Sequence, residues 1–131
     1  MSYLVDTHIF LWSLFSPKKI SKKIIEILID PKLTKVVSSV TFWEISLKYQ
    51  LGKLDLTNVY PDQLPGIAKN TGFEILSLDA DIASSFFKLP KLKNQDPFDR
   101  MLIWQAISKD YTLLTQNKDF ALYQECGLKI I

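Results

Sequence analysis

Apolar residues occur along this chain in short blocks of two kinds. Compact aliphatic runs at residues 3–5, 35–38, 73–76 and 111–115 read as buried strands, and residues 128–131 as a fifth. Longer stretches between them carry helix signals. Residues 7–15 are apolar and stop before Pro17. Residues 22–29 have Ser21 before them as a cap and Asp30-Pro31 behind them. Residues 41–51 form a helix with Gly52 placed to end it in the left-handed conformation. Residues 61–70 are helical but interrupted by Pro65 and Gly66, and residues 79–88 run from a cap at Asp79 to a stop near Pro90. The strongest helix covers 97–109, with Pro97 at the favoured first position. A last helix covers 118–125 and ends at Gly127, while residues 54–60 and 91–95 are loops. Strands alternating with helices predict an α/β fold with a mostly parallel sheet of four to five strands, covered on both faces. No linker or repeat divides residues 1–131, so a single domain is expected.

Composition narrows the chemistry mainly by exclusion. A hydrophobic fraction of 47% with 23% charged residues describes a soluble globular chain and rules out disorder. The net charge of +2 identifies no partner. Lysines cluster at 18–19, 22–23, 32 and 35, and 88–93; together they suit a nucleic-acid backbone, while any one cluster is explained by surface solvation. Cys126 and His8 are each the only residue of their type, which excludes an internal disulfide and a Cys/His zinc site, and leaves His8 alone to serve any Ser or Cys triad. The start of the chain has no basic, apolar leader pattern, and no run reaches membrane-span length, so a cytoplasmic location is expected.

Acidic residues sit where strands hand over to helices. Asp6 follows the first strand, Glu44 lies one turn past the second, and Asp96 and Asp99 open the 97–109 helix. In open α/β sheets, ligands bind outside the carboxyl ends of the strands. Carboxylates gathered there repel unless a cation lies between them, and a hard divalent ion is the natural one. Capping explains each acid singly. Thr41 to Glu44 matches the S/T-x-x-E box, Asp96 fits an N-cap, Asp99 suits the helix dipole, and Asp6 caps the first helix. Capping does not explain why these helix starts follow strands on one edge. Asp30, Asp55, Asp62, Asp79 and Asp110 join no such pattern. The two roles are also compatible, because cap hydrogen bonds orient a ligand carboxylate.

The segments Val5-Asp6-Thr7-His8-Ile9-Phe10-Leu11, Ser39-Val40-Thr41-Phe42-Trp43-Glu44-Ile45, Asp96-Pro97-Phe98-Asp99-Arg100-Met101-Leu102-Ile103 and Leu113-Leu114-Thr115-Gln116-Asn117 together resemble the PIN-domain family, in particular VapC-type toxins of toxin–antitoxin pairs. The resemblance implies a three-layer α/β/α sandwich and an endoribonuclease dependent on Mg²⁺ or Mn²⁺, cutting RNA by metal-activated water without a protein general base. It matches Asp6, Glu44 and Asp99 to the family's metal-binding acids, Asp96 to an additional acid beside the site, and Thr7 and Thr115 to hydroxyl positions near the metal. Two positions depart from the pattern. His8 stands where Asn is frequent, and Asn117 stands where a fourth acid is usual; Asn117 is expected to keep that place, with Asp119 two residues further on as the alternative.

His8 is expected beside the site rather than as a ligand. Arg100 and Lys48 are candidates for phosphate contacts, with a plain i,i+4 ion pair to Glu44 as the alternative for Lys48. Trp12, Phe42 and Trp43 are candidates for base stacking, against the commoner role of aromatics as core. The helix at 22–29 is too apolar for one buried stripe, which calls for a second layer or a partner. The resemblance implies a small antitoxin in such a groove, and a homodimer. Competing readings are a structure-specific DNA nuclease, a weakly catalytic RNA- or partner-binding module, and a receiver-type signalling domain. The last lacks the paired acids it requires at the first strand.

Overall fold

The computed structural model describes residues 1–131. Five parallel strands form one sheet in the order β3-β2-β1-β4-β5: β1 (Ser2–Val5), β2 (Thr34–Ser38), β3 (Glu74–Leu76), β4 (Thr112–Leu114) and β5 (Lys129–Ile130). The helices are α1 (Thr7–Phe15), α2 (Lys22–Ile29), α3 (Ser39–Gln50), α4 (Leu64–Asn70), α5 (Ala80–Ser85) and α6 (Pro97–Lys109). The chain builds outward from β1 to β3, then crosses back to place β4 on β1's other side. That reversal opens a crevice at the carboxyl ends of β1 and β4, the place where such sheets bind ligands.

Strand alternation divides the core into two layers. Tyr3, Val5, Val37 and Leu114 point to one face and pack with Ile9, Phe10, Ile24, Ile45, Leu64, Ala68 and Phe73. Leu4, Val36 and Leu113 point to the other and pack with Ile103, Ala106, Phe120, Tyr123 and Leu128. The expected α/β/α sandwich is therefore present, and residues 54–60 connect α3 to the following turn without regular structure. No helix is long and apolar enough to cross a membrane.

Four elements differ from expectation. The 61–70 and 79–88 helices each divide into a short α-helix and a tight 3₁₀ turn, at Pro61–Gln63 and Phe86–Lys88. Residues Lys118–Cys126 are 3₁₀ rather than α-helical. Their three-residue period stacks Phe120 and Tyr123 on one face, and both are buried against the sheet. Helix α3 begins two residues early. The Ser38 hydroxyl accepts from the Val40 amide and donates to Gln105 Oε1 at 2.5 Å, so the cap lies upstream of Thr41. Gly52 follows α3 at φ +72°, the left-handed geometry its position called for.

Candidate active site

Asp6 leaves β1 and caps α1. Its Oδ1 accepts from the Ile9 amide at 2.7 Å, and its Oδ2 accepts from the Thr115 hydroxyl at 2.5 Å. Thr115 follows β4, so this bond spans the crevice between the two central strands. Burial raises the Asp6 pKa, reinforced by the charge of Glu44, while Thr115, the Ile9 amide and His8 pull it down.

Glu44 does not serve the capping box that its sequence suggested. The Ser38 cap has taken that role, and the Glu44 carboxylate turns inward at 3% exposure. Oε1 accepts from the Thr7 hydroxyl at 2.7 Å, and Thr7 lies 3.2 Å from the equally buried Thr41 hydroxyl. Oε2 accepts from Lys48 Nζ at 2.5 Å. The i,i+4 ion pair is thus the form Lys48 takes. Despite partial burial, Glu44 and the charges of Asp96 and Asp99 raise the Lys48 pKa.

Asp96 caps α6 as expected, accepting from the Asp99 amide at 2.9 Å. Asp99 carries the clearest electrostatic signature. Burial first, then the charges of Asp96, Glu44 and Asp6, push its carboxyl up to about 6, against a lowering hydrogen bond from Asn94. Those couplings place Asp6 and Glu44, from the β1–α1 and β2–α3 junctions, and Asp96 and Asp99 in one another's fields. Contrary to expectation, Asp96 and Asp99 follow a loop after the 86–88 turn rather than a strand, because α5 and that turn intervene between β3 and α6. No three acidic, His or Cys side chains form a ready-made cage. One oxygen of each principal acid is held by Thr115, Thr7 or Asn94. The donors are all oxygen, the charge is uncompensated except at Glu44, and a hard divalent ion that keeps water ligands and takes one or two carboxylates fits such a set.

Asn117 keeps its position at the crevice, lining a hollow of about 200 Å³ with Asp6, His8, Trp12 and Gln116. Its Oδ1 accepts from the Asp119 amide, and Asp119 is exposed and does not line that hollow. His8 is exposed and tilted against Trp12, with ring centroids 5.6 Å apart. Beside Glu44 runs a groove of about 450 Å³, lined among others by His8, Trp12, Lys19, Lys48 and Lys53.

Two assignments need revision. Arg100 is not free for phosphate. Its guanidinium donates to the carbonyls of Leu89 at 3.0 Å and Pro90 at 3.3 Å and to the Tyr123 hydroxyl at 3.4 Å, and stacks over Phe86. Phe42 is core, edge-on to Phe10, whereas Trp43 is 63% exposed and rests edge-on against Phe98. Sequence reasoning missed Asn94. Its side-chain amide donates to Asp99 Oδ2, its Oδ1 accepts from the Asp96 amide, and its carbonyl accepts from the Tyr123 hydroxyl. The polar loop just before Asp96-Pro97 was the available signal, since such a loop supplies the side chains that orient a helix start. Gln105, also missed, joins α6 to the α3 cap through Ser38.

The PIN domain profile matches residues 3–125. The chain belongs to the PIN-domain family. Solved structures with the same fold include VapBC2 from Rickettsia felis bound to a promoter DNA fragment, at TM-score 0.71 and 19% identity over 100% of this chain and 98% of that one. VapBC-1 from nontypeable Haemophilus influenzae aligns at TM-score 0.65 and 20% identity, covering 100% and 97%. A toxin–antitoxin complex from Klebsiella pneumoniae aligns at TM-score 0.60 and 25% identity, covering 91% and 90%. Among curated proteins nothing matches the chain.

Proposed function

We propose that this PIN domain is the toxin of a toxin–antitoxin pair, an endoribonuclease that uses Mg²⁺ or Mn²⁺. One observation carries the reading: the Asp6 and Glu44 carboxylates are both buried at 3% exposure and held by the Thr115 and Thr7 hydroxyls, with the half-buried Asp99, held by Asn94, near enough to feel both charges. Asp6, Glu44 and Asp99 are the residues that would hold it, with Asp96 beside them and Asn117 in the fourth place. Bound there, a divalent ion supplies charge that activates water and screens the phosphate.

The chain's own residues position that chemistry. Thr115 and the Ile9 amide fix the Asp6 carboxylate, Thr7 fixes Glu44, and Asn94 fixes Asp99. Lys19, Lys48 and Lys53 line the groove that leads to Glu44, a path suited to one strand of RNA backbone. Asn117 adds no charge, which supports a slower enzyme than a four-acid relative and keeps the weakly catalytic binding module as the second reading.

The partner assignments rest on exposed apolar surface. Helix α2 buries Ile24 but leaves Ile29 72% exposed, at the edge of a groove of about 220 Å³ shared with Leu14, Ile25, Leu28 and Phe73. We assign that groove to a helix of a small antitoxin. Trp43 and Phe98 edge a separate apolar hollow of about 180 Å³ with Val40, Leu78 and Met101, the surface we assign to the homodimer.

The deciding experiment offers single-stranded RNA and DNA flaps to the purified protein with Mn²⁺, Mg²⁺ or EDTA. RNA cleavage that needs the metal and disappears in Asp6→Asn and Asp99→Asn is expected. Cleavage that survives EDTA or both substitutions rejects the assignment, and cleavage of flaps alone favours the DNA nuclease.

A further inference from the structure

Glu44 differs from the other acids in already having a cation. Its carboxylate is fixed by burial and by Thr7, whereas the Lys48 side chain is 37% exposed and reaches Oε2 from the groove wall. A divalent ion that engages Oε2 must displace the ammonium, and the flexible partner is the lysine. The charges of Asp96 and Asp99 also act on Lys48, so its ammonium faces three of the site's acids.

We propose that Lys48 is a positioning residue that competes with the divalent ion for Glu44 and thereby sets the affinity of the site for metal. The inference rests on the reading of Glu44 as a ligand. Displacement swings the ammonium into the groove of about 450 Å³, toward Lys19 and Lys53, where an RNA phosphate would compensate it. The lysine then weakens metal binding when no RNA is present and favours loading when RNA arrives.

Mn²⁺ alone, titrated calorimetrically at pH 7.5, tests this. Lys48→Met and Lys48→Gln are expected to bind Mn²⁺ about tenfold more tightly than the parent, the scale of one charge-assisted hydrogen bond partly open to water. Lys48→Arg is expected near the parent value, and Glu44→Gln and Asp6→Asn are expected to weaken binding. Melting temperatures in EDTA separate a merely structural lysine, which lowers the melting point without tightening Mn²⁺. Unchanged or weaker Mn²⁺ binding in both neutral Lys48 variants, with Glu44→Gln still losing affinity, overturns the inference alone. Unchanged binding in Glu44→Gln and Asp6→Asn overturns the metal site itself and the inference with it.

Discussion

Replacing Asp99 with Asn is expected to stabilise the protein above neutral pH in EDTA. In the folded chain the Asp99 carboxyl is held at about 6 rather than 3.8, so the folded state binds more protons than the unfolded state between those values. Stability therefore falls as pH rises through that window and stays reduced above it. A rise of about two pH units corresponds to at most ~3 kcal/mol at ~1.36 kcal/mol each. Asp99 is only half-buried, and solvent screening brings this to roughly 1–1.5 kcal/mol. The substitution also forfeits a negative charge in the first turn of α6, about 0.5 kcal/mol of favourable dipole interaction. The net expectation is a gain of about 1 kcal/mol at pH 8 and none at pH 4. Urea unfolding at pH 4, 6 and 8 reads it as a higher midpoint at unchanged slope. Mn²⁺ should reverse the order, since an ion that binds only the folded parent adds about 2.7 kcal/mol at a hundredfold excess over its Kd. An Asn variant less stable than the parent at pH 8 in EDTA, or one that keeps the parent's pH slope, refutes the reasoning.

Other perturbations separate architecture from chemistry. Arg100→Ala removes a charged donor from two carbonyls and a tyrosine, and is expected to cost about 2 kcal/mol in urea unfolding, while the salt dependence of RNA binding stays as in the parent. Phe10→Ala, at a ring buried edge-on to Phe42 and Phe73, is expected to cost about 3–5 kcal/mol by the same assay. Asn117→Asp keeps the cap on the Asp119 amide, because Asn and Asp cap equally well, and adds a charge beside Asp6; calorimetry should then read tighter Mn²⁺ binding. Asn94→Ala frees Asp99 and is expected to lower the cleavage rate more than the RNA affinity, measured by single-turnover kinetics against anisotropy.

The strands were legible because buried parallel strands carry uninterrupted aliphatic runs, Asp6 because it follows β1 directly as a helix cap, and Asp96 and Asp99 because Asp96-Pro97 marks a helix start. Glu44 was legible as an acid of the site but not in its contacts. The sequence spacing favoured a local cap, and the tertiary bond from Ser38 to Gln105 on α6 moved that cap upstream and released the carboxylate to Thr7 and Lys48. Asn94 and Arg100 were obscure for the same reason. Their partners lie on the 86–90 turn and at Tyr123, segments that meet only when the 3₁₀ run closes over the sheet. The 3₁₀ form itself has no distinct residue preference that separates it from a short α-helix.

Crystals soaked in MnCl₂ and measured at the manganese absorption edge test the account most directly. The account predicts an anomalous peak at the carboxyl ends of β1 and β4, coordinated by carboxylate oxygens of Asp6 and Asp99 with Glu44 alongside, and lost in Asp99→Asn. Manganese bound only elsewhere on the surface, or the same peak persisting in that variant, would contradict it.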